Sequence, residues 1–185
     1  MVLSKFLRRL FFLVAALWLH CCCALGAGAK PAADRCAEDA AYRRLDFWLG
    51  DWEVFDSKDG SKSGTNKIEK IVEGCAIVEN WRNPDGTEVK GFLYFEPARK
   101  AWKYVLISHG GGIKERVMDA AFSASGGVRF QGEIAHVNSA GSHLDRMTLF
   151  PLAGHRIRET IEVSRDNGKT WEMVFDAEYW ERKKP

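Results

Sequence analysis

From Asp51 onward, apolar and polar residues alternate with a period of two in short segments that turn sequences separate. This alternation predicts β-strands that bury one face. Turn-forming pairs and triplets such as Asp59-Gly60, Gly110-Gly111-Gly112 and Asp166-Asn167-Gly168 mark the connections. We expect strands at 51–57, 64–73, 75–82, 88–96, 101–108, 113–122, 127–136, 143–150, 155–164 and 170–181.

About ten short strands with tight connections favour a β-barrel over a two-sheet sandwich. Uniform hairpin-like connections are typical of an up-and-down antiparallel β-barrel. A two-sheet sandwich is the alternative, but sandwiches usually include a long crossover connection. The sequence therefore predicts an all-β protein, an up-and-down antiparallel β-barrel of about ten strands with one short N-terminal helix.

The stretch before the first strand, Asp46-Phe47-Trp48-Leu49-Gly50-Asp51-Trp52-Glu53-Val54, is rich in large apolar side chains. Asp34 can cap a short helix that leads into it, which would carry Cys36 and Leu45. Gly50 permits a close backbone turn between that helix and the first strand. We expect Trp52 to form the floor of the barrel and Trp48 to anchor the helix against it. A binding site would then lie inside the barrel at the opposite end.

The N-terminus has the pattern of a secretory signal peptide. Lys5, Arg8 and Arg9 precede an apolar run from Leu10 to Leu19, and small residues end in Ala27-Gly28-Ala29. A membrane helix needs roughly 20 apolar residues, so we expect cleavage after Ala29 rather than an anchor. Lipidation at Cys21, Cys22 or Cys23 is an alternative, although Cys21 follows His20 rather than a small residue. Residues 1–29 are thus the predicted signal and 30–185 a single domain, secreted or periplasmic, with no membrane span after cleavage.

Removal of the signal changes the charge and cysteine content of the chain. The full chain has 27 Lys and Arg against 25 Asp and Glu, and loss of three basic residues brings the net charge from +2 to about −1. Nothing indicates the clustered basic residues of a nucleic-acid-binding surface. Cys36 and Cys75 remain, and in an oxidising compartment they predict one disulfide. Neither has a second Cys or a His at ligand spacing, so we expect no metal site.

A longer series of residues resembles a known family. It comprises Asp46-Phe47-Trp48-Leu49-Gly50-x-Trp52-x-Val54, Ile68-Glu69-x-Ile71, Gly74-Cys75, Glu79-x-Trp81, Gly91, Trp102, Arg146 and Ser164-x-Asp166-x-Gly168-x-Thr170-Trp171, followed by Phe175 and Tyr179. In this order it resembles a family of uncharacterised, mostly bacterial exported proteins with a lipocalin-like (calycin) barrel, and Gly50-Asp51-Trp52 is similar to the Gly-x-Trp of lipocalins. The resemblance implies a fold and an exported location. It implies no activity, because fold does not determine function.

The segment from Ser164 to Trp171 also resembles the Asp-box of sialidases and other propeller proteins. Asp166 can accept hydrogen bonds from turn amides, Gly168 suits a positive φ, and Trp171 can pack beneath the hairpin. Such a box stabilises a turn and performs no catalysis. We therefore assign Asp166, Gly168 and Trp171 structural roles, together with Trp48, Gly50 and Trp52.

Candidate ligand-binding residues come from strand faces that combine charge with aromatic side chains. Glu79 and Trp81 share one face, as do Arg158 and Glu162 on a later strand. If such faces point into the barrel, they could orient a polar headgroup; the alternative is a solvated outer face. The predicted ligand-binding residues are Glu79, Trp81, Tyr94, Trp102, Tyr104, Arg146 and Arg158.

These observations favour a binding protein for a small, partly apolar ligand. An enzyme that uses Glu79 with Arg146, and a protein-interaction module with an exposed aromatic rim, are the alternatives. We expect no catalytic residues and no cofactor. Haem is a minor alternative with His109 as its ligand, and His109-Gly110-Gly111-Gly112 lacks the nucleophile of a hydrolase. The sequence leaves the ligand and the oligomeric state open.

Overall fold

A computed structural model describes residues 36–136 and 141–183 of the chain. They form a closed barrel in which each strand pairs antiparallel with its neighbours in sequence and the first strand pairs with the last. The strands are β1 (Gly50–Asp56), β2 (Lys62–Ile71), β3 (Ala76–Arg82), β4 (Glu88–Glu96), β5 (Ala101–Ser108), β6 (Ile113–Met118), β7 (Val128–Ala135), β8 (Ser142–Leu152), β9 (Arg156–Ser164) and β10 (Glu172–Glu181). The predicted up-and-down barrel is confirmed, and the sandwich is excluded.

The predicted alternation determines which face of each strand is inside. In β1, Trp52 and Val54 are buried while their neighbours are partly exposed. In β9, Ile157 and Glu159 are buried on the inner face. A one-residue shift of register would turn the apolar side chains outward, so burial of one face fixes the register of the whole barrel.

One end of the barrel is covered by the segment that precedes β1. It contains two 3-10 helices, Ala40–Arg43 and Asp46–Trp48, and the side chain of Asp39 caps the first. Trp52 Nε1 donates to the Trp48 carbonyl at 3.0 Å, and Trp102 Nε1 donates to the Ala41 carbonyl at 2.8 Å. These bonds join the covering segment to the barrel wall. Further 3-10 helices lie at Val72–Gly74 and Ala124–Gly126.

A disulfide joins Cys36 to Cys75, as predicted, and so links the covering segment to the connection between β2 and β3. Gly50 lies where this segment enters β1, with φ of +155°. A methyl group at Gly50 would lie 2.8 Å from ring carbons of Trp52, so the close packing of that indole requires glycine here.

Predictions about the N-terminus, including the signal peptide and the capping role of Asp34, fall outside the described residues. Within residues 36–136 and 141–183, no helix is long and apolar enough to cross a membrane.

Candidate functional site

A cavity of about 230 Å³ lies inside the barrel, towards the end opposite Trp48 and Trp52. Its position follows from strand direction, because it is lined by residues near the end of β3 and β5 and near the start of β4 and β10. The apolar wall consists of Trp81, Val89, Leu106, Met147, Ile161 and Phe175. The polar lining consists of Glu79, Asn83, Tyr104, Arg116, Glu159 and Tyr179. The cavity therefore combines an apolar wall with several ionisable groups.

Glu79 is buried and both of its carboxyl oxygens have partners. Asn66 Nδ2 donates to Oε1 at 2.7 Å, and the Tyr104 hydroxyl hydrogen-bonds Oε2. Burial raises the pKa of Glu79, and the two hydrogen bonds oppose that rise. Burial and the neighbouring Glu79 raise the pKa of Tyr104 well above its usual value, so this phenol stays protonated.

Glu159 forms a second carboxyl–phenol pair on the inner face of β9. Its Oε2 hydrogen-bonds the Tyr179 hydroxyl, which also lies 3.4 Å from Asn66 Nδ2. Burial, followed by repulsion from Glu79, raises the pKa of Glu159 to about 7. Asn66 thus connects the two pairs, and the charge of the cluster changes near neutral pH.

Arg116 brings a positive charge into the same interior. It is 2 % exposed, and its Nε donates to Asp145 Oδ1 at 2.6 Å. Its Nη2 lies 2.6 Å from the same oxygen but outside hydrogen-bond geometry, and neither Nη1 nor Nη2 has a hydrogen-bond acceptor among the described residues. Lys114 Nζ donates a hydrogen bond to Asp145 Oδ2 at 2.8 Å. Asp145 therefore balances the charge of Arg116 and leaves most of its N–H donors unused.

Two glycines make room for these polar contacts across a strand. Gly91 on β4 lies between Glu79 on β3 and Tyr104 on β5, and a methyl group there would lie 2.5 Å from Glu79 Oε2. Gly132 on β7 lies between Arg116 on β6 and Asp145 on β8, and a methyl group there would lie 1.9 Å from the Glu115 carbonyl oxygen. Side chains two strands apart meet because the strand between them has no side chain at that position.

The elevated pKa of Glu159 predicts that the protein loses stability as pH rises. The native carboxyl holds its proton up to about pH 7, whereas the unfolded one releases it near 4.5. Between these values the native state binds more protons, so stability falls with rising pH, by about 3 kcal/mol from this residue, and levels off above pH 7. Urea unfolding of the wild type and of Glu159→Gln from pH 5 to 8 measures this. The slope should be smaller in the variant, and Glu79, whose pKa burial also raises, contributes to the slope that remains. Equal slopes in the two proteins would contradict the assignment.

The structure brings three of the predicted ligand-binding residues to the cavity: Glu79, Trp81 and Tyr104. Trp81 Nε1 donates to Asn83 Oδ1 at 2.7 Å, and its ring meets Phe175 edge to face at 6.1 Å. Trp102 is also buried, but it lies at the covered end against Ala41. Glu79, Trp81 and Tyr104 thus form part of one site.

The other predicted ligand-binding residues lie outside the barrel lumen. Tyr94 is 41 % exposed on β4. Arg146 makes two hydrogen bonds to Glu162 and stacks on Trp171 at 3.9 Å, while Arg158 pairs with Asp176. Since Glu79 faces the lumen and Arg146 does not, the two groups that the enzyme hypothesis requires do not converge.

Arg116, Glu159 and Asp145 are site residues that the sequence reasoning missed. Glu159 alternates in phase with Ile157 and Ile161, so its place on the apolar face was a signal of burial. Arg116 alternates with Lys114, a pattern typical of a solvated face. No sequence signal marked Arg116. Its partner Asp145 alternates with Met147 and Leu149, but Leu144 and Phe150 make the opposite face of that strand look apolar as well, so the pattern did not decide which face is inside.

The residues predicted to be structural lie away from the cavity. Asp166 accepts hydrogen bonds from Ser164 Oγ at 2.8 Å and from the Thr170 amide at 2.9 Å. These hydrogen bonds, chiefly those from Thr170, lower the pKa of Asp166 to about 2. Gly168 N donates to Ser164 Oγ, and Trp171 Nε1 donates to the Gly168 carbonyl. Trp48 is fully buried, so it does not contribute to an exposed aromatic rim. His109 lies between β5 and β6 and does not line the cavity.

A comparison of the chain with protein-family models and with curated proteins found no match.

Proposed function

We propose that the protein is an exported lipocalin-like barrel that binds a small, partly apolar ligand in its cavity. The observation that carries this proposal is the composition of the cavity, in which apolar side chains form the wall and a buried arginine has unused donors. Ligand sites are commonly concave and apolar with a few convergent polar groups. Barrels of comparable strand number accommodate a single small ligand.

Export is the second part of the proposal. The N-terminal pattern of basic residues, apolar run and Ala27-Gly28-Ala29 is that of a cleaved signal. The disulfide between Cys36 and Cys75 agrees with it, because disulfides persist in oxidising compartments outside the cytoplasm. A small-molecule binder in such a compartment would capture its ligand without a membrane span of its own.

Filling the cavity tests the binding function. Leu106 lines the cavity, whereas Ile107, the next residue of β5, is 43 % exposed on the outer face. We expect Leu106→Trp to weaken binding at least about tenfold, since loss of roughly 1.4 kcal/mol of contact energy gives that factor. Ile107→Trp, its matched control, should bind like the wild type.

The measurement is isothermal titration calorimetry with a panel of one-ring aromatic and six- to eight-carbon aliphatic probes, each as acid, amide and alcohol. A probe at about 100 times its Kd should stabilise the protein by about 2.7 kcal/mol, which a thermal-shift assay detects independently. If no probe binds the wild type, or if Leu106→Trp and Ile107→Trp bind equally well, the cavity is not a ligand site.

A further inference from the structure

We propose that the ligand is a small monocarboxylate whose carboxylate accepts hydrogen bonds from Arg116 Nη1 and Nη2, with an apolar, ring-sized group against Trp81 and Phe175. This inference rests on the proposed binding function and specifies the chemistry of the ligand. It starts from a polar side chain that is buried, lines the cavity and has donors without acceptors. Such unsatisfied buried donors are costly, and a ligand that supplies acceptors would remove the cost.

The hydrogen bonds already made in the cluster favour an anion over a cation. Both carboxyl oxygens of Glu79 are bonded, and Asp145 uses Oδ1 for Arg116 and Oδ2 for Lys114. Glu159 has its Tyr179 bond. Asn66 Oδ1 is a buried acceptor without a donor, but Asn66 does not line the cavity. An amine entering the cavity would therefore find the oxygens of Glu79 and Asp145 occupied and a guanidinium nearby. A carboxylate would find free donors, and its planar pair of oxygens matches the fork of an arginine.

The charge and volume of the interior limit the ligand further. Asp145 lies between Arg116 and Lys114, which leaves one positive charge in excess when the buried glutamic acids are protonated. One excess charge suits a monoanion rather than a phosphate dianion. The volume of about 230 Å³ lies between a cavity that binds benzene, about 150 Å³, and the roughly 300 Å³ or more of drug-sized pockets. One ring with a short acidic side chain fits this range.

The same geometry makes binding depend on pH. The groups around the carboxylate position are Glu79 on β3, Tyr104 on β5, Arg116 with Lys114 on β6, Asp145 on β8, Glu159 on β9 and Tyr179 on β10. The pKa of Glu159 is about 7, and burial also raises the pKa of Glu79. Ionisation of these carboxyls places negative charge beside the bound anion, so affinity for the anion should fall as pH rises through about 7.

A charge series on one molecular frame tests the inference in the wild-type protein. The probes are 3-phenylpropanoate, 3-phenylpropanamide and 3-phenylpropylamine, titrated calorimetrically at pH 6 and pH 8. We expect the acid to bind at least about tenfold more tightly than the amide at pH 6, because charge-assisted hydrogen bonds are roughly twice as strong as neutral ones. The amine should bind most weakly, and the preference for the acid should narrow at pH 8.

Matched variants locate the effect. Arg116→Gln should remove the preference for the acid over the amide while the amide still binds, and Arg146→Gln, on the outer face, should leave both unchanged. Glu159→Gln should reduce the pH dependence. If Arg116→Gln does not fold, Arg116→Lys and the wild-type series still decide the question. Binding of the amide or the amine as tightly as the acid would overturn the inference and leave the binding function intact, whereas failure of all three probes with the wider panel would overturn both.

Discussion

Asp145→Asn should destabilise the protein by about 3–5 kcal/mol, because removal of one partner from a buried ion pair leaves the other charge uncompensated. Arg116 is 2 % exposed, and Asp145 is its only carboxylate partner at ion-pair distance among the described residues. The asparagine keeps the shape of the side chain and removes its charge. Chemical denaturation at pH 6 measures the change in the free energy of unfolding.

Asp176→Asn is the matched control for this result. Asp176 is likewise paired with an arginine, from which it accepts two hydrogen bonds, but this partner, Arg158, is 43 % exposed on the outer face of the barrel. Exposed ion pairs contribute about 0–1 kcal/mol, so the control should lose no more than that. Equal losses in the two variants would contradict the view that the inner pair is desolvated.

A double-mutant cycle then separates the pair from its surroundings. In an Arg116→Met background, Asp145 still pairs with Lys114. Asp145→Asn then leaves only the charge of Lys114 uncompensated, and this side chain is 33 % exposed. We therefore expect Asp145→Asn to cost at least about 1 kcal/mol less in that background than in the wild type, a coupling energy within the range of contacting residues. Additive effects would show that Asp145 acts through contacts other than Arg116.

The strand pattern was predictable because burial of one face imposes a strict period of two on the sequence. The ten predicted strands correspond in order to β1–β10, and most ends agree within two residues. The sixth is the clearest difference: we predicted 113–122, whereas β6 ends at Met118. The side chain of Asp119, the next residue, accepts a hydrogen bond from the Ala121 amide, and the turn that this bond stabilises ends the strand.

The polar centre was less predictable because its contacts span three strands. Arg116 meets Asp145 across Gly132, and Tyr104 meets Glu79 across Gly91. Each contact depends on a glycine at the matching position of the strand that lies between the two partners. Pattern reasoning on single strands assigns a face, but it does not show which side chains two strands apart will touch.

Whether a charged residue points outward depends on which set of alternating residues in its strand is buried. Arg158 alternates with Ile157, which is buried, so the face of Arg158 is outside once the inner face is known. On β8 the phase is less evident, because Thr148 on the outer face is 1 % exposed, and Arg129 Nε donates to its hydroxyl at 3.1 Å. Where long side chains cover their neighbours on the outer face, both faces of the strand are buried, and the sequence pattern does not distinguish them.

Trp52→Ala should destabilise the barrel by about 3–5 kcal/mol, the usual cost of truncating a buried tryptophan to alanine. Trp52 is fully buried at the covered end, where its ring contacts Tyr179 at 6.2 Å between ring centroids. Its Nε1 also donates a hydrogen bond to the Trp48 carbonyl. Truncation would leave a cavity in the floor and release the segment that covers it. Thermal and urea unfolding measure the loss.

The neighbouring strand supplies the control that separates burial from residue type. Trp180 on β10 pairs in register with Glu53, next to Trp52, but it is 45 % exposed and stacks on Arg156 at 4.6 Å. Trp180→Ala should cost no more than about 1 kcal/mol, the value of an exposed cation–π contact. Trp52 does not line the cavity, although it contacts Tyr179, which does. Because the hydrogen bond to Glu159 also holds the Tyr179 hydroxyl in place, Trp52→Ala should leave the affinity of the folded protein for its ligand within about twofold. A large loss of stability with unchanged affinity places the floor and the site at separate ends of the barrel, whereas an unchanged melting temperature would contradict the structural role of Trp52.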